Sequence, residues 1–252
     1  MSATRVELSV GALAAAAERE GLGPLHLSLQ PEPMWYPREE RDSLRSALDG
    51  ELADAGLVDR RGRLDPDFLD LLPVLTAASL EYYGWVSQDG TTWSALAASR
   101  GILGVLAVRR GDRVTLTAVD HTELPSALVG ALPEVGPGGG SRWVVRVDDM
   151  REGLERTHHD RSVARVIAEI AKVMERPVAS GGELYVADRD PAGNRRTLRT
   201  PLRFVDTDWG RYVNYRVRVG DEEEFCVQPA DPTTVVATLE SLRGHLVVTQ
   251  RA

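Results

Sequence analysis

The 252-residue chain contains a single cysteine, Cys226, so no disulfide can form within it. That thiol sits in the apolar run Glu224-Phe225-Cys226-Val227, a context for a buried, inert sulfur rather than a nucleophile. No uncharged apolar run approaches the roughly 18 residues that a membrane span requires. The opening stretch MSATRVELSV lacks both a basic segment and the long apolar core of a secretory leader, and a cytoplasmic location is the expectation. Basic excess is missing as well. The formal net charge is −8, which disfavours general nucleic-acid binding and adhesion to anionic membranes, both of which need a cationic footprint. The five histidines (His26, His121, His158, His159 and His245) follow no metal-ligand spacing. There is no Gly-x-Ser-x-Gly elbow, phosphate loop or dinucleotide fingerprint.

What is present reads as ordinary globular protein, 42% hydrophobic and 27% charged. The first half is expected to hold a short strand at Val6–Leu8 and an alanine-rich helix over 10–20, stopped by Gly21. A strand follows on alternating Leu25, Leu27 and Leu29, then a helix over 38–55 with Leu44, Leu48 and Leu52 on one face. A further helix is capped by Asp65 and opened by Pro66, and Pro73 should kink or end it. Strands then run through LEYYGWVS and WSALAAS around Gln88-Asp89-Gly90, and through GILGVLAVRR and RVTLTAV around Gly111-Asp112. The helix ELPSALVGAL closes this half.

The stretch PEVGPGGGS, residues 133–141, reads as the plainest linker in the chain. After it the plan returns: a helix capped by Asp160 with Val163, Val166, Ile167, Ile170 and Val173 at helical spacing, then strands, a Gly220-Asp221 turn, a strand and a helix begun by Asp231-Pro232. VRRGDRVTLTAVDHTELPSALVGAL aligns with VRVGDEEEFCVQPADPTTVVATLESL at an offset near 109–110. The order of elements agrees over about 80 residues. The expectation is therefore one domain, 1–252, made of two structural repeats of about 1–135 and 141–252, each needing the other to cover its sheet.

Phe204-Val-Asp206-Thr-Asp208-Trp-Gly210-Arg211-Tyr212 packs acids, an indole, a glycine and a guanidinium into nine positions. A calcium loop of the EF-hand kind needs glycine at its sixth position and glutamate at its twelfth, where this sequence has Arg211 and Val217. A corner between two strands fits better. The aspartates can bond nearby amides, Gly210 can take positive φ, and Arg211 is available to pair with an aspartate. A different reading keeps a hydrolase-type enzyme open, with Asp206, Asp208 and Arg211, joined by His121, in a cleft between the halves. A third is an orphan binding scaffold.

DAGLVDRRGRLDPDFLDLL, YYGWV, GVLAVRRGDRVTLTAV, GGELYVADRD and VDTDWGRY occur in that order nearly end to end. On these motifs the chain resembles the EspG family, cytosolic chaperones of actinobacterial type VII (ESX) secretion systems. One departure is Glu183, where the resemblance leads one to expect glutamine. The resemblance implies an α/β (α+β) fold with a central, mainly antiparallel sheet flanked by helical bundles, in two halves related by a pseudo-twofold axis. It implies no catalysis and no cofactor. The implied partner is a helical secretion substrate protein, PE–PPE-like or WXG100-like, whose apolar tip is covered before export. No nucleic acid and no membrane insertion are implied, and the chain is expected to be a monomer or weak homodimer. The expected docking residues are Gln88, Asp89, Gly90 and Trp93 on the first-half hairpin, Leu202, Phe204 and Tyr212 on second-half strands, and Val235, Val236 and Leu239 on the last helix. Trp93, just after a tight Asp-Gly turn, is expected to be exposed and to anchor the partner.

Overall fold

The computed structural model describes residues 5–32, 37–155 and 161–248. His158, His159 and the expected cap Asp160 lie outside them. The chain forms two compact units, and neither is one continuous stretch. The first comprises residues 1–85, 92–131 and 188–193; the second comprises 86–91, 132–187 and 194–252.

The first unit holds β1 (Arg5–Ser9), α1 (Val10–Arg19), α2 (Arg38–Asp54), α3 (Pro66–Ala77), β2 (Leu80–Gln88, through Trp85), β3 (Thr91–Arg100, from Thr92), β4 (Leu103–Arg110), β5 (Arg113–Asp120) and α4 (Leu124–Gly130). The strand order is β1-β5-β4-β3-β2, with β1–β5, β5–β4 and β4–β3 antiparallel. Helices α3 and α4 pack on β4, burying Phe68, Leu72, Leu75, Leu128, Leu96 and Val105. Helix α1 begins where the Ser9 hydroxyl accepts the Ala12 amide at 3.0 Å. It stops at Gly21, whose φ of +67° lets Leu22 N–H reach the Ala17 carbonyl at 2.9 Å. Ser9 N–H also donates to Glu51 Oε1 at 2.7 Å, and Arg113 pairs with the same carboxylate, so one acid ties α2 to the start of α1 and to β5.

One expectation fails in this unit, and the proline of α3 does not act as a stop. Leu25–Leu29 is no strand: Leu29 N–H turns back to the His26 carbonyl at 2.7 Å, and His26 N–H bonds Leu75 at 2.7 Å, so the alternation of leucines buries Leu25 and Leu29 in a turn. Pro73 does not end α3, which runs on to Ala77. The missing N–H costs one helical bond, while burial of Phe68, Leu72, Val74 and Leu75 on both sides of the proline holds the helix together.

The second unit holds β6 (Trp143–Arg146), α5 (Val147–Glu155), α6 (Arg161–Met174), β7 (Val178–Arg189, through Ala187), β8 (Arg195–Thr197), β9 (Leu202–Thr207), β10 (Gly210–Val219), β11 (Glu222–Pro229), α7 (Pro232–Arg243) and β12 (Val247–Val248). Its strand order is β7-β9-β10-β11-β6, all antiparallel, with β12 paired to β8. The order strand, Gly-Asp turn, strand, helix occurs in each unit, as β4-β5-α4 and β10-β11-α7. Arg110 opposes Arg113 across Gly111-Asp112, and Val219 opposes Glu222 across Gly220-Asp221. The glycines take φ of +59° and +62° at the first central position, as two-residue hairpins with Gly-X turns require.

Alternation along these strands sorts side chains onto two faces. Leu184, Leu202, Phe204, Asp206, Arg211, Val213 and Cys226 share one. Gly181, Glu183, Arg203, Val205, Tyr212, Asn214, Phe225, Val227, Trp143 and Val145 share the other, by the registers Gly181–Val205, Tyr212–Val205, Val227–Asn214 and Val227–Trp143. Ile170 of α6 joins Val145 and Val227 in a small core on that second face, with Met150, Val163, Val166 and Ile167 around it.

The region 133–141 is not a slack linker. Arg211 N–H donates to the Gly136 carbonyl at 2.7 Å and Gly138 N–H to the Arg211 carbonyl at 2.9 Å, laying the segment along the start of β10. Its glycines permit the approach: a Cβ at Gly138 would fall 2.2 Å from the Tyr212 ring, and one at Gly210 2.6 Å from the Pro137 carbonyl oxygen. Strand β6 and helix α5 were not expected from the sequence. The helix follows the strand with no intervening turn residue, so no punctuation marks the change of period.

Candidate functional site

The motif Asp206–Tyr212 is a strand corner. Thr207 opposes Gly210 across Asp208-Trp209, and Gly210 adopts φ +108°. The two aspartates have different fates. Asp206 is 1% exposed and accepts Arg211 Nε at 2.6 Å and Nη2 at 2.8 Å, together with the Ser180 hydroxyl. Arg211, also 1% exposed, donates a further bond to the Pro133 carbonyl at 2.7 Å and lies 4.9 Å from the Phe204 ring centroid. Asp208 points outward and pairs with Arg176, whose guanidinium holds its carboxyl below the usual carboxylate range. His121 belongs to the surface of the first unit, beside Asp120 at 3.5 Å. The acids of the enzyme reading are thus a buried structural pair and a surface ion pair. The pairing of Arg211 with an aspartate expected from the sequence is with Asp206, and the register that sets the two opposite each other places both on a buried face.

The open feature of the second unit is a groove of about 700 Å³. Its floor is the uncovered part of the sheet face that α5 and α6 occupy, formed by Gly181, Val205, Asn214 and Phe225. One rim is Val147 and Met150 of α5 with Met174 at the end of α6, and another is Gln88-Asp89-Gly90. That tip is a two-residue turn, with φ of +51° at Asp89 and +72° at Gly90, and the Thr91 hydroxyl closes onto the Gln88 carbonyl at 2.9 Å. Met174 is 53% exposed and Val178 59%, two apolar side chains left in water at the mouth of the groove. Glu183 sits at its edge. The Tyr185 hydroxyl at 2.8 Å and Arg203 Nε at 2.9 Å bond its carboxylate and hold it below the ordinary value, so the departure from glutamine adds a fixed charge that is already paired.

Of the ten docking residues expected from the sequence, Gln88, Asp89 and Gly90 are exposed and at the groove, and Val236 is half-buried. Leu202, Phe204, Tyr212, Val235 and Leu239 are core; Phe204 lines the groove, but its side chain lies on the opposite face of the sheet from the floor. Trp93 is corrected most sharply. It is 5% exposed, with Arg110 stacked 4.2 Å from its ring centroid, because β3 carries it into the first unit's core two residues beyond the exposed end of the hairpin. Met150, Met174, Val178 and Phe225 were missed. No local signal separates an apolar residue that a neighbouring helix covers from one it leaves bare.

Among the described residues, no helix is long and apolar enough to cross a membrane. The architecture is that of a mixed α/β protein built on antiparallel sheets with helices against them. The profile of the EspG family matches residues 9–241, and the chain belongs to that family. Its fold is similar to that of the Mycobacterium tuberculosis type VII secretion system chaperone EspG5, whose structure was solved in complex with a PE25–PPE41 dimer. The TM-score is 0.72 at 16% sequence identity, with 98% of this chain and 99% of that one covered. No curated protein matches the chain.

Proposed function

We propose that this protein is a chaperone of type VII secretion that holds a helical substrate, PE–PPE-like, before export on the cytoplasmic side, with the substrate's apolar tip in the groove of the second unit. Family membership supports the class of protein, and the complex in which EspG5 was solved supports the class of partner. The observation that carries the location is the pair Met174 and Val178, exposed at the mouth of a groove with a rigid β-sheet floor. An exposed tip on a helical protein awaiting export invites aggregation, and covering it with adaptable apolar side chains lowers that risk. Methionine suits the task, since its unbranched thioether side chain adapts to different shapes. Binding here requires no bond to be made or broken, and the buried Asp206–Arg211 pair serves the fold rather than a reaction.

The test is co-purification with the small helical secretion proteins encoded beside this gene, followed by calorimetry. Met174→Glu with Val178→Asp is expected to weaken binding at least about tenfold, or about 1.4 kcal/mol, with an unchanged melting temperature. Unaltered affinity in that double variant overturns the location. If neither PE–PPE-like nor WXG100-like proteins are retained by the unaltered chain, the chaperone reading itself fails.

We further propose that the two repeats make one folding domain. Support comes from the way each unit borrows a short segment, 86–91 or 188–193, from the sequence of the other.

A further inference from the structure

A second hollow lies in the same unit. It measures about 410 Å³ and is lined by Trp143, Trp209, Tyr212, Glu169, Val173 and the backbone at Gly139-Gly140. It shares no lining residue with the groove. Trp209 is the unexplained member. It is 47% exposed, yet it is held in place. Its backbone N–H donates to the Thr207 hydroxyl oxygen at 3.1 Å, that hydroxyl donates to the Gly210 carbonyl at 3.0 Å, and the indole itself is held by Arg176, which is fixed by Asp208 and stacks 4.5 Å from its centroid. Packing into a core does not account for so large a side chain in water, resting on the guanidinium of Arg176.

The rest of the hollow is equally prearranged. Trp143 and Tyr212 stack with centroids 6.3 Å apart and planes 27° from parallel. The Tyr212 hydroxyl, whose pKa burial pushes up, donates to the Gly139 carbonyl at 2.9 Å. The glycines are what leave the space open: a Cβ at Gly140 would lie 2.6 Å from the Trp143 ring. Trp143, Trp209 and Tyr212 therefore line a hollow in which, among the described residues, the only charged lining residue is an acid, Glu169. Its present partner is Lys172, three residues on along α6 at 2.8 Å, an exposed pair of the kind that exchanges readily with another cation.

From this arrangement we infer that the hollow is a binding site for an arginine side chain presented by a protein partner. A guanidinium is planar, stacks on aromatic faces and offers a fork of N–H donors to a carboxylate, whereas a lysine ammonium is compact and more strongly hydrated. The contact of Arg176 with Trp209 shows the same indole already taking a guanidinium from within the chain, and Arg176 does not line the hollow. The site is separate from the groove proposed for the apolar tip and stands whether or not that reading holds. It gives the protein a second, charge-selective contact.

The experiment titrates the full chain, with its tryptophan indoles labelled with nitrogen-15, with N-acetyl-arginine methylamide. Parallel arms use the lysine and citrulline analogues and free L-arginine. Saturable shifts of the Trp143 and Trp209 indole signals are expected with the capped arginine. Lysine and free arginine should bind more weakly, and citrulline, which keeps the shape and loses the charge, at least fivefold more weakly. Glu169→Gln should weaken the capped arginine at least fivefold, while Met174→Glu should leave it unchanged. Trp209→Leu should abolish binding; should that variant fail to fold, Glu169→Gln decides the matter. Equal binding of citrulline, tighter binding of free arginine, indifference to Glu169→Gln or the absence of saturable shifts each overturns the proposal.

Discussion

Replacing Asp206 with alanine removes the only carboxylate, among the described residues, bonded to a guanidinium that is 1% exposed. Three side-chain hydrogen bonds disappear, two from Arg211 and one from Ser180. Arg211 would keep only its bond to the Pro133 carbonyl, so a full positive charge would remain buried with one neutral acceptor. Breaking a buried ion pair by deleting one partner costs about 3–5 kcal/mol, most of it the desolvation of the charge left behind. Against a total stability of roughly 5–15 kcal/mol, that is a large share. With a urea slope of about 2 kcal/mol per M, the unfolding midpoint should fall by about 1.5–2.5 M. Asp208 provides the control two residues away. Its pair with Arg176 is exposed, and Asp208→Ala should leave the midpoint where it is. Replacing both buried partners, Asp206→Leu with Arg211→Met, should recover part of the loss, because apolar residues of similar volume carry no desolvation penalty. Urea unfolding followed by circular dichroism reads all three variants. A loss below about 1 kcal/mol for Asp206→Ala, or an equal loss for Asp208→Ala, would refute the reasoning.

Trp93→Ala should cost about 3–5 kcal/mol in the same assay, as emptying a buried indole site does, and a melting temperature unchanged from the parent would return Trp93 to the surface. Glu51 carries a pH dependence. Burial pushes its carboxyl up, but the hydroxyl and amide of Ser9 and the guanidinium of Arg113 more than offset this, and the folded value lies below the ordinary 4.5. Its stabilisation is therefore fully present above that ordinary value and is lost as pH falls through the folded one, so Glu51→Gln should flatten the stability profile below about pH 4.5; an unchanged acid limb would count against the assignment. A fragment of residues 141–252 lacks segments 86–91 and 132–140 of its own unit, including the Pro133 and Gly136 carbonyls that Arg211 uses, and should show no cooperative thermal transition. A monomeric, cooperatively melting fragment would instead show that the second repeat folds alone.

The elements with local causes were legible in the chain. Asp65-Pro66 and Asp231-Pro232 each start a helix, because an aspartate oxygen can accept the amides of the first turn and proline has no N–H to lose there. Gly111-Asp112 and Gly220-Asp221 turn strands because glycine alone takes positive φ without strain. Period-two and helical spacing, read together with those signals, marked most of the strands and helices and made the repeat visible. Even the corner at Gly210 and its Asp–Arg pairing followed from residue chemistry, since those groups are neighbours along the chain. Burial was different. Trp93, Leu239, Met174 and Val178 are all apolar residues beside a turn or a helix, and their own neighbours do not tell them apart. Trp93 is covered because β3 carries it into a packed unit. Met174 at the end of α6 and Val178 at the start of β7 stay bare. The hollow at Trp209 needs residues 139–143, 169–173 and 209–212 to meet, and the glycine segment taken for a linker is one of its walls. Side-chain pattern is a property of the near sequence, whereas exposure depends on which distant segment arrives to cover it, and only the tertiary structure decides that.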